Sequence, residues 1–391
     1  MYVDFTDSQK ALRDELRDYF AKLITPELRP QLRGMESGDL YKQVVRQMGS
    51  DRWLGVGWPE AYGGRGFGAV EQFIWFDEAR RAGAPIPFVT LNTVGPALMA
   101  HGTDPQKEKF LRGILAGEVH FAIGYSEPDA GTDLAALKTA AVREGDEYVV
   151  NGTKIFTSGA ESADYVWLAC RTDPDAKKHK GISMLIVDTR DPGFSFSPIH
   201  TVGDGRTNMS YYQDVRVPVD MRVGEENAGW KLITLQLNHE RVGLAAFSGY
   251  GGKLIDDTVE WACKTSAADG CPVADQPWVQ ACLGEAYARF EAMKVMNWRM
   301  AWQMEQGDPS PVLSSASKVF STETLIEVYR LLLEVLGMPG IVKADSPGAQ
   351  LRGDLEREWR MCQINTYGGG VNEVQREIVA MMGLGLPRAP R

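Results

Sequence analysis

Hydrophobic residues in the first part of the chain recur every three or four positions, which is the spacing of an amphipathic helix. Leu16 and Phe20 follow this spacing after Thr6, whose hydroxyl can cap a helix together with Gln9 three residues later. The same period predicts further helices over 70–82, 92–101 and 105–116. Residues 1–118 are therefore predicted to form an N-terminal helical domain.

The pattern changes after residue 118, where Gly and Pro divide the chain into short β-type runs. Residues 147–156 contain Asn151-Gly152, a dipeptide typical of tight hairpin turns, and they predict two strands joined at that turn. Further strands are predicted over 165–169, 182–187 and 210–217. Residues 119–225 are therefore predicted to form a central antiparallel β domain.

Long helical patterns return after residue 225. Val319, Ile326 and Leu333 have helical spacing, and Gly337 is a plausible residue to end their helix. Residues 226–391 are predicted to form a C-terminal helical domain. The order of helices, sheet and helices predicts an α+β fold with segregated layers, and it argues against a doubly wound parallel sheet.

Composition and charge narrow the function classes. The chain has 391 residues, and its 52 acidic and 42 basic side chains give a net charge of −10. This charge argues against a protein that binds nucleic acid through its overall electrostatic field. No stretch approaches the ~20 apolar residues of a membrane helix. The five cysteines are widely spread without a Cys-x-x-Cys pair, so neither a disulfide framework nor a metal site is expected. The N-terminal residues lack the apolar stretch of a secretory signal, and the expected location is the cytoplasm.

One carboxylate interrupts an apolar helical stripe in the segment 229–248. At ~100° per residue, Glu240 falls among five apolar positions, namely Trp230, Ile233, Leu237, Leu244 and Phe247. A carboxylate facing a core is costly to ionise, so it is either paired structurally or used as a general base. The alternative is that Glu240 and Arg241 form an ordinary surface pair on the helix.

Two motifs in the central region resemble the acyl-CoA dehydrogenase family. Residues 121–133 read Phe-Ala-Ile-Gly-Tyr-Ser-Glu-Pro-Asp-Ala-Gly-Thr-Asp, and residues 151–159 read Asn-Gly-Thr-Lys-Ile-Phe-Thr-Ser-Gly. The family patterns are Thr-Glu-Pro-x-x-Gly-Ser-Asp and Asn-Gly-x-Lys-x-Trp/Phe-Ile-Thr-Asn. The segment 367–376 is similar to a later family segment, so the resemblance covers essentially the whole chain. It implies an N-terminal helical domain, a central β domain and a C-terminal four-helix bundle.

The resemblance implies FAD as cofactor, with the isoalloxazine ring against 123–126 and 156–158. Phe156 would cover one face of the ring, and Ser158 would place a hydroxyl near flavin N5, where the family usually has Thr. Tyr125 and Ser126 would bond the pyrimidine side of the ring. The candidate set for cofactor binding is Ile123, Tyr125, Ser126, Thr132, Phe156, Ser158, Gly369 and Gly370. Thr132 is also a candidate for substrate binding, since it replaces the Ser that lies beside the phosphates or the thioester.

The family chemistry requires a base that removes the α-proton of an acyl thioester while a hydride leaves the β-carbon. Most members use a Glu near the C terminus, where this chain has Gly369. Some use a Glu in the helix at the position of Glu240, in a similar Leu-x-x-Glu-Arg context. The resemblance therefore implies Glu240 as the catalytic base, and Arg241 as a residue that orients the substrate.

Two departures from the family pattern bear on assembly. The Arg-x-x-Phe-Gly motif, whose Arg reaches the FAD diphosphate of a neighbouring subunit, is missing from 261–270, and the Gln-x-x-Gly-Gly segment reads Glu334-Val335-Leu336-Gly337-Met338. The chain is therefore expected to need a second acyl-CoA dehydrogenase-like subunit in an α2β2 heterotetramer. It is most similar to the actinobacterial steroid side-chain acyl-CoA dehydrogenases, which implies a steroid acyl-CoA substrate and an electron-transfer flavoprotein as acceptor.

Three alternatives remain at this stage. The chain could be a non-catalytic structural subunit of such a heteromer, with Glu240 in a buried pair. It could be an acyl-CoA oxidase of the same fold that uses oxygen. A helical binding module without enzymatic activity is the most distant alternative.

Overall fold

The computed structural model describes residues 4–234, 248–307 and 310–388. Its N-terminal part is helical, with α1 (Asp7–Leu23), α2 (Leu28–Leu32), α3 (Asp39–Ser50), α4 (Ala69–Ala82), α5 (Gly95–His101) and α6 (Asp104–Leu115). The predicted cap of α1 is confirmed. The backbone N–H of Gln9 donates to Thr6 Oγ1 over 3.3 Å, and the Gln9 side chain accepts from the Thr6 N–H over 3.0 Å. Helix α1 ends just before Pro26, as Pro disfavours helical backbone before it.

The central part is an eight-stranded sheet. Its strands are β1 (Phe121–Gly124), β2 (Ala140–Glu144), β3 (Glu147–Ile155), β4 (Tyr165–Arg171), β5 (Ile182–Asp188), β6 (Phe194–His200), β7 (Arg206–Pro218) and β8 (Arg222–Val223). The strand order is β6-β7-β3-β2-β4-β5-β8, with β1 on β4. The pairing is mainly antiparallel as predicted, but β1 and one residue pair of β2 run parallel to β4.

The predicted hairpin turn at Asn151-Gly152 is wrong. Both residues lie inside the continuous strand β3, where the register with β7 shifts between Val150 and Gly152. A Cβ atom at Gly152 would lie 2.5 Å from Thr139 Oγ1, so this glycine permits a bulge and a close approach of the backbone. The hairpin turn is at Gly145, between β2 and β3.

The C-terminal part is again helical. It contains α7 (Ser248–Lys264), α8 (Pro277–Glu305), α9 (Pro311–Leu336), α10 (Asp354–Cys362) and α11 (Asn372–Ile378). Gly337 ends α9 with φ of 64°, which confirms its predicted capping role. A further helix begins at residue 229 and is described as far as residue 234.

The three parts share buried surfaces. One face of the sheet, including Trp167 and Met184, joins the core of the N-terminal helices, while the other face has a core of its own around Tyr148 and Leu168. A third core lies between α7, α8 and α9. Helix α4 packs against α7 and α8, so the N-terminal helices contact both other parts. Among the described helices, none has the length and apolar character needed to cross a bilayer.

Candidate active site

The two motif segments of the central domain lie side by side where strands β1 and β3 end. Residues 123–126 and 156–158 are together called the sheet edge. Strand β1 pairs parallel with β4, with Ile123 opposite Trp167, and the chain continues into Tyr125 and Ser126. The backbone N–H of Ile155, the last residue of β3, donates to the carbonyl of Ser126 over 2.8 Å. This bond brings the segment 123–126 next to the segment 156–158.

Phe156 projects its ring from this edge. Its backbone has φ of 61°, a left-handed conformation that is unusual for a bulky residue, and its side chain is 59% exposed. Such strain persists where the surrounding structure holds it, and it clusters at functional sites. The arrangement presents an aromatic face on which a planar ligand could stack.

A buried ion pair supports the backbone of the same edge. Lys154 Nζ donates to Glu127 Oε1 over 2.8 Å and to the carbonyl of Tyr125 over 3.0 Å. Glu127 also accepts from the backbone N–H groups of Lys138 and Thr139, over 2.7 and 2.8 Å. Burial lowers the pKa of Lys154, against the attraction of Glu127. Burial alone would raise the pKa of Glu127, but Lys154 and these hydrogen bonds outweigh it and the pKa is lowered. The pair therefore fixes the backbone of 125–127 through its hydrogen bonds.

Hydroxyl groups line the second segment. Thr157 Oγ1 lies 2.9 Å from Ser210 Oγ, and the exposed Ser158 has its Oγ 3.0 Å from Thr207 Oγ1. Asn208 Nδ2 donates to the carbonyl of Thr157 over 3.1 Å. Strand β7 thus holds the 156–158 segment in position while the Ser158 hydroxyl remains at the surface of the edge.

Ser126 differs from its neighbours in having free polar groups. It is half-buried, and within the described ranges its hydroxyl and its backbone N–H have no hydrogen-bond partner. Polar groups without a protein partner are open to a bond from a ligand or from water. Beside Ser126, Tyr125 Oη accepts from Trp167 Nε1 over 3.2 Å.

The sequence of the chain matches family models over most of its length. Three family models match, the acyl-CoA dehydrogenase N-terminal domain over 6–118, the middle domain over 122–215 and the C-terminal domain over 227–384. The chain belongs to the acyl-CoA dehydrogenase family. Membership places it among the oxidoreductases that act on acyl-CoA thioesters.

The similar proteins cover the full length. The acyl-CoA dehydrogenase FadE26 of Mycobacterium tuberculosis (strain ATCC 25618 / H37Rv) is 53% identical, with 100% of both chains covered. The structure titled "Tcur3481-Tcur3483 steroid ACAD" matches with a TM-score of 0.96 and 52% identity over 100% of both chains. The ChsE4-ChsE5 complex from Mycobacterium tuberculosis matches with a TM-score of 0.94 and 54% identity, again over 100% of both chains.

The remaining candidates of this acyl-CoA dehydrogenase lie elsewhere. Thr132 is exposed in the loop after the Glu127–Ala130 bridge. Gly369 and Gly370 have φ of 66° and 101° in the C-terminal domain, where Lys318 Nζ donates to the carbonyl of Gly370 over 2.6 Å. Five of the eight cofactor candidates therefore share the sheet edge, and Thr132, Gly369 and Gly370 are not part of it.

Glu240 and Arg241 lie outside the described residues. Of the apolar stripe predicted around Glu240, Ile233 is fully buried and Trp230 half-buried, while the other members fall in the same undescribed segment. The role of Glu240 in this acyl-CoA dehydrogenase stays a prediction.

Sequence reasoning missed the two groups that support the edge, Lys154 and Glu127. A signal existed, because each lies inside a quoted motif and Lys154 interrupts a β-type run. Within the described ranges, no three His, Cys, Asp or Glu side chains converge as metal ligands.

Proposed function

We propose that the chain catalyses FAD-dependent α,β-dehydrogenation of an acyl-CoA thioester. The observation that carries this proposal is the pairing of Ile123–Ser126 with Phe156–Ser158 at one edge of the sheet. The edge combines an exposed aromatic face with unpartnered polar groups on Ser126. These are the features that suit a flat ring with a hydrogen-bonding rim, so the residues present fit the isoalloxazine ring of FAD.

In the proposed mechanism each residue has a separate task. Phe156 covers one face of the ring and excludes water from it, and Ser126 bonds the polar rim together with the backbone of Tyr125. The Ser158 hydroxyl lies where it can bond the reacting end of the ring. When bound, FAD supplies a hydride acceptor.

Glu240 is the proposed base. It takes the α-proton of the thioester on its carboxylate, and Arg241 orients the acyl group beside it. Thr132 contacts the thioester or phosphate portion of the ligands. Gly369 and Gly370, which have no side chains, leave room for the cofactor in the C-terminal domain. The resemblance aligns Gly369 with the position where most family members have their base, so that position offers no carboxylate.

The substrate class and assembly follow from the relatives. Two solved structures at 52% and 54% identity are titled as a steroid ACAD and as a ChsE4-ChsE5 complex, which supports a steroid side-chain acyl-CoA and an α2β2 heterotetramer. The exposed apolar residues of α8, among them Tyr287, Val295 and Trp302, are suited to a subunit interface. We propose an electron-transfer flavoprotein as the acceptor.

Substitution of the base tests the proposal. In the complex with its partner subunit, Glu240→Gln should reduce kcat by about 10²- to 10⁴-fold, which is the usual contribution of a general base. The flavin content of the purified complex should not change. Glu225→Gln, which alters an exposed carboxylate on the same stretch of chain, is the matched control. Unchanged turnover in Glu240→Gln would instead identify a structural subunit.

Assembly has its own test. The chain expressed alone should contain little flavin, and coexpression with the partner should restore a stoichiometric flavin spectrum. A fully flavinated homotetramer from the chain alone would refute the heteromer. Peroxide formation without an added acceptor would favour an oxidase over a dehydrogenase.

A further inference from the structure

Glu161 lies just after the sheet edge, and several hydrogen bonds converge on its carboxylate. Ser37 Oγ donates to Oε1 over 2.8 Å, and Arg206 donates to the same oxygen through Nε over 3.0 Å and through Nη2 over 2.7 Å. Asn208 Nδ2 donates to the other oxygen, Oε2, over 2.5 Å. The sequence predicted no role for any of these residues.

The carboxylate of Glu161 is enclosed, and only 12% of its side chain is exposed. Burial alone would raise its pKa, but the backbone N–H of Glu161 and the three side-chain donors outweigh burial, so the pKa is lowered. Hydrogen bonds to an ionised acceptor are stronger than those between neutral groups. Glu161 therefore has the chemistry of an anchor that holds its donors in fixed positions.

Asn208 connects this carboxylate to the sheet edge. The side chain is fully buried, and its Nδ2 also donates to the carbonyl of Thr157 over 3.1 Å. The backbone N–H of Thr157 donates in return to the carbonyl of Asn208 over 2.9 Å. Thr157 lies between Phe156 and Ser158, the two residues assigned to the ring of the cofactor. The position of Asn208 therefore fixes the backbone between them.

The orientation of the Asn208 amide depends on Glu161. Both hydrogen bonds of the amide come from Nδ2, whereas Oδ1 is buried and has no partner among the described residues. Rotation of the amide by half a turn would place Oδ1 against the Thr157 carbonyl and against the carboxylate, so these two acceptors fix the observed orientation. Without the carboxylate, only the Thr157 carbonyl would oppose this rotation.

Strand β7 holds the segment 157–161 from both of its faces. Thr207, which lies between Arg206 and Asn208, has its Oγ1 3.0 Å from Ser158 Oγ. Because successive side chains of a strand point to opposite faces, Arg206 and Asn208 share one face and Thr207 lies on the other. The bond to the Ser158 hydroxyl is thus made on one face, and the anchor at the carboxylate on the other.

The same carboxylate attaches the N-terminal helices to this region. Ser37 lies in the loop between α2 and α3, and the next residue, Gly38, donates its N–H to Ser162 Oγ over 2.9 Å. The carbonyl oxygen of Glu36 lies 3.6 Å from the position that a Cβ atom would take at Gly159. The loop 36–38 therefore contacts the residues that directly follow the sheet edge.

We propose that Glu161 is a positioning residue for the segment 156–158 and that it acts on this segment through Asn208. Its task is to keep the Ser158 hydroxyl and the Phe156 ring in the places from which they contact the cofactor. The inference rests on the proposed function, because it concerns residues assigned there to the ring of FAD. Loss of the carboxylate should therefore weaken the bond that Ser158 makes to the reacting end of the ring.

The test compares two flavins that differ at one position of the ring. 5-Deaza-FAD has a C–H group in place of N5, so it cannot accept a hydrogen bond there from the Ser158 hydroxyl. Each flavin is titrated into the apo form of the complete complex and followed by fluorescence. The wild type should bind FAD about three- to tenfold more tightly than 5-deaza-FAD, which is the effect of one net hydrogen bond.

Glu161→Gln should lower the affinity for FAD by the same factor and leave the affinity for 5-deaza-FAD within twofold, so the preference should nearly vanish. A merely structural role would weaken both flavins alike. Ser158→Ala should also remove the preference, and Glu161→Gln added to it should cause no further loss, because the two changes remove the same bond.

Glu144→Gln is the matched control. Glu144 is likewise a carboxylate of the central domain that pairs with an arginine, Arg216, over 3.3 Å, but both side chains are exposed and the pair lies beside the hairpin turn at Gly145. The affinities for both flavins should be those of the wild type.

Equal losses for the two flavins in Glu161→Gln, or no loss for either, would overturn the inference, and so would additive effects of Ser158→Ala and Glu161→Gln. An absent preference in the wild type would also overturn it, because there would be no bond to N5 for Glu161 to position. If Glu161→Gln does not assemble with the partner subunit, the same comparison with Asn208→Ser decides the question. Failure of the wild-type complex to bind either flavin would instead overturn the proposed function.

Discussion

The sheet edge and the contacts between the helical parts are encoded in different ways. The edge is formed by two short motifs, 121–133 and 151–159, that a β-sheet brings together over a short stretch of chain. The helical contacts join elements that are distant in sequence, as where α4 packs against α7 and α8. The difference teaches that local backbone geometry builds the sheet edge, whereas tertiary packing joins the helical parts to one another.

The sharpest test of the edge is its buried ion pair. Lys154→Met should lower the free energy of unfolding by about 3–5 kcal/mol, since it leaves Glu127 buried without its counter-charge. Urea denaturation of the purified protein measures the loss. Lys178→Met is the control, because the Lys178–Asp133 pair is exposed and should contribute less than about 1 kcal/mol. Equal effects of the two substitutions would contradict a structural role of the buried pair.

A second test concerns the boundary between the N-terminal helices and the sheet. Burial is the main cause that lowers the pKa of His120 to about 4, and its ring lies 6.0 Å from that of Tyr41. Between pH 6.5 and 4 the unfolded chain binds a proton at this residue and the folded chain does not. The stability that neutral His120 contributes is therefore present above pH 6.5 and is lost as the pH falls towards 4, by up to roughly 3 kcal/mol.

Other groups also titrate in this range, so the readout is a difference between variants. Urea unfolding of wild type and His120→Gln at pH 7 and at pH 4.5 should show a smaller loss of stability for the variant. His179→Gln, which alters a histidine in an exposed loop, should behave as wild type. A pH dependence identical in wild type and His120→Gln would show that the histidine is not buried neutral at this boundary.

Sequence reasoning recovered the features that depend on local chemistry. The cap at Thr6, the end of α9 at Gly337 and the α+β order all follow from short-range hydrogen bonding and periodicity. It failed at Asn151-Gly152, because the same dipeptide suits a turn or a bulge and only the approach of Thr139 decides between them. The contacts of α4 with α7 and α8 could not be predicted, since a single residue in a helix carries no record of which distant helix it will face.

The exposed ring of Phe156 gives the smallest expected effect on stability and tests whether the sheet edge binds the cofactor. Phe156→Ala removes no buried contact, so stability should change by less than about 0.5 kcal/mol. Stacking of aromatic groups contributes about 0.5–1.5 kcal/mol, so FAD affinity of the complex should fall by about two- to tenfold in a fluorescence titration. Phe196→Ala alters another exposed phenylalanine on β6 and should leave FAD affinity unchanged. Equal FAD affinity in wild type and Phe156→Ala would contradict a stacking role of this ring.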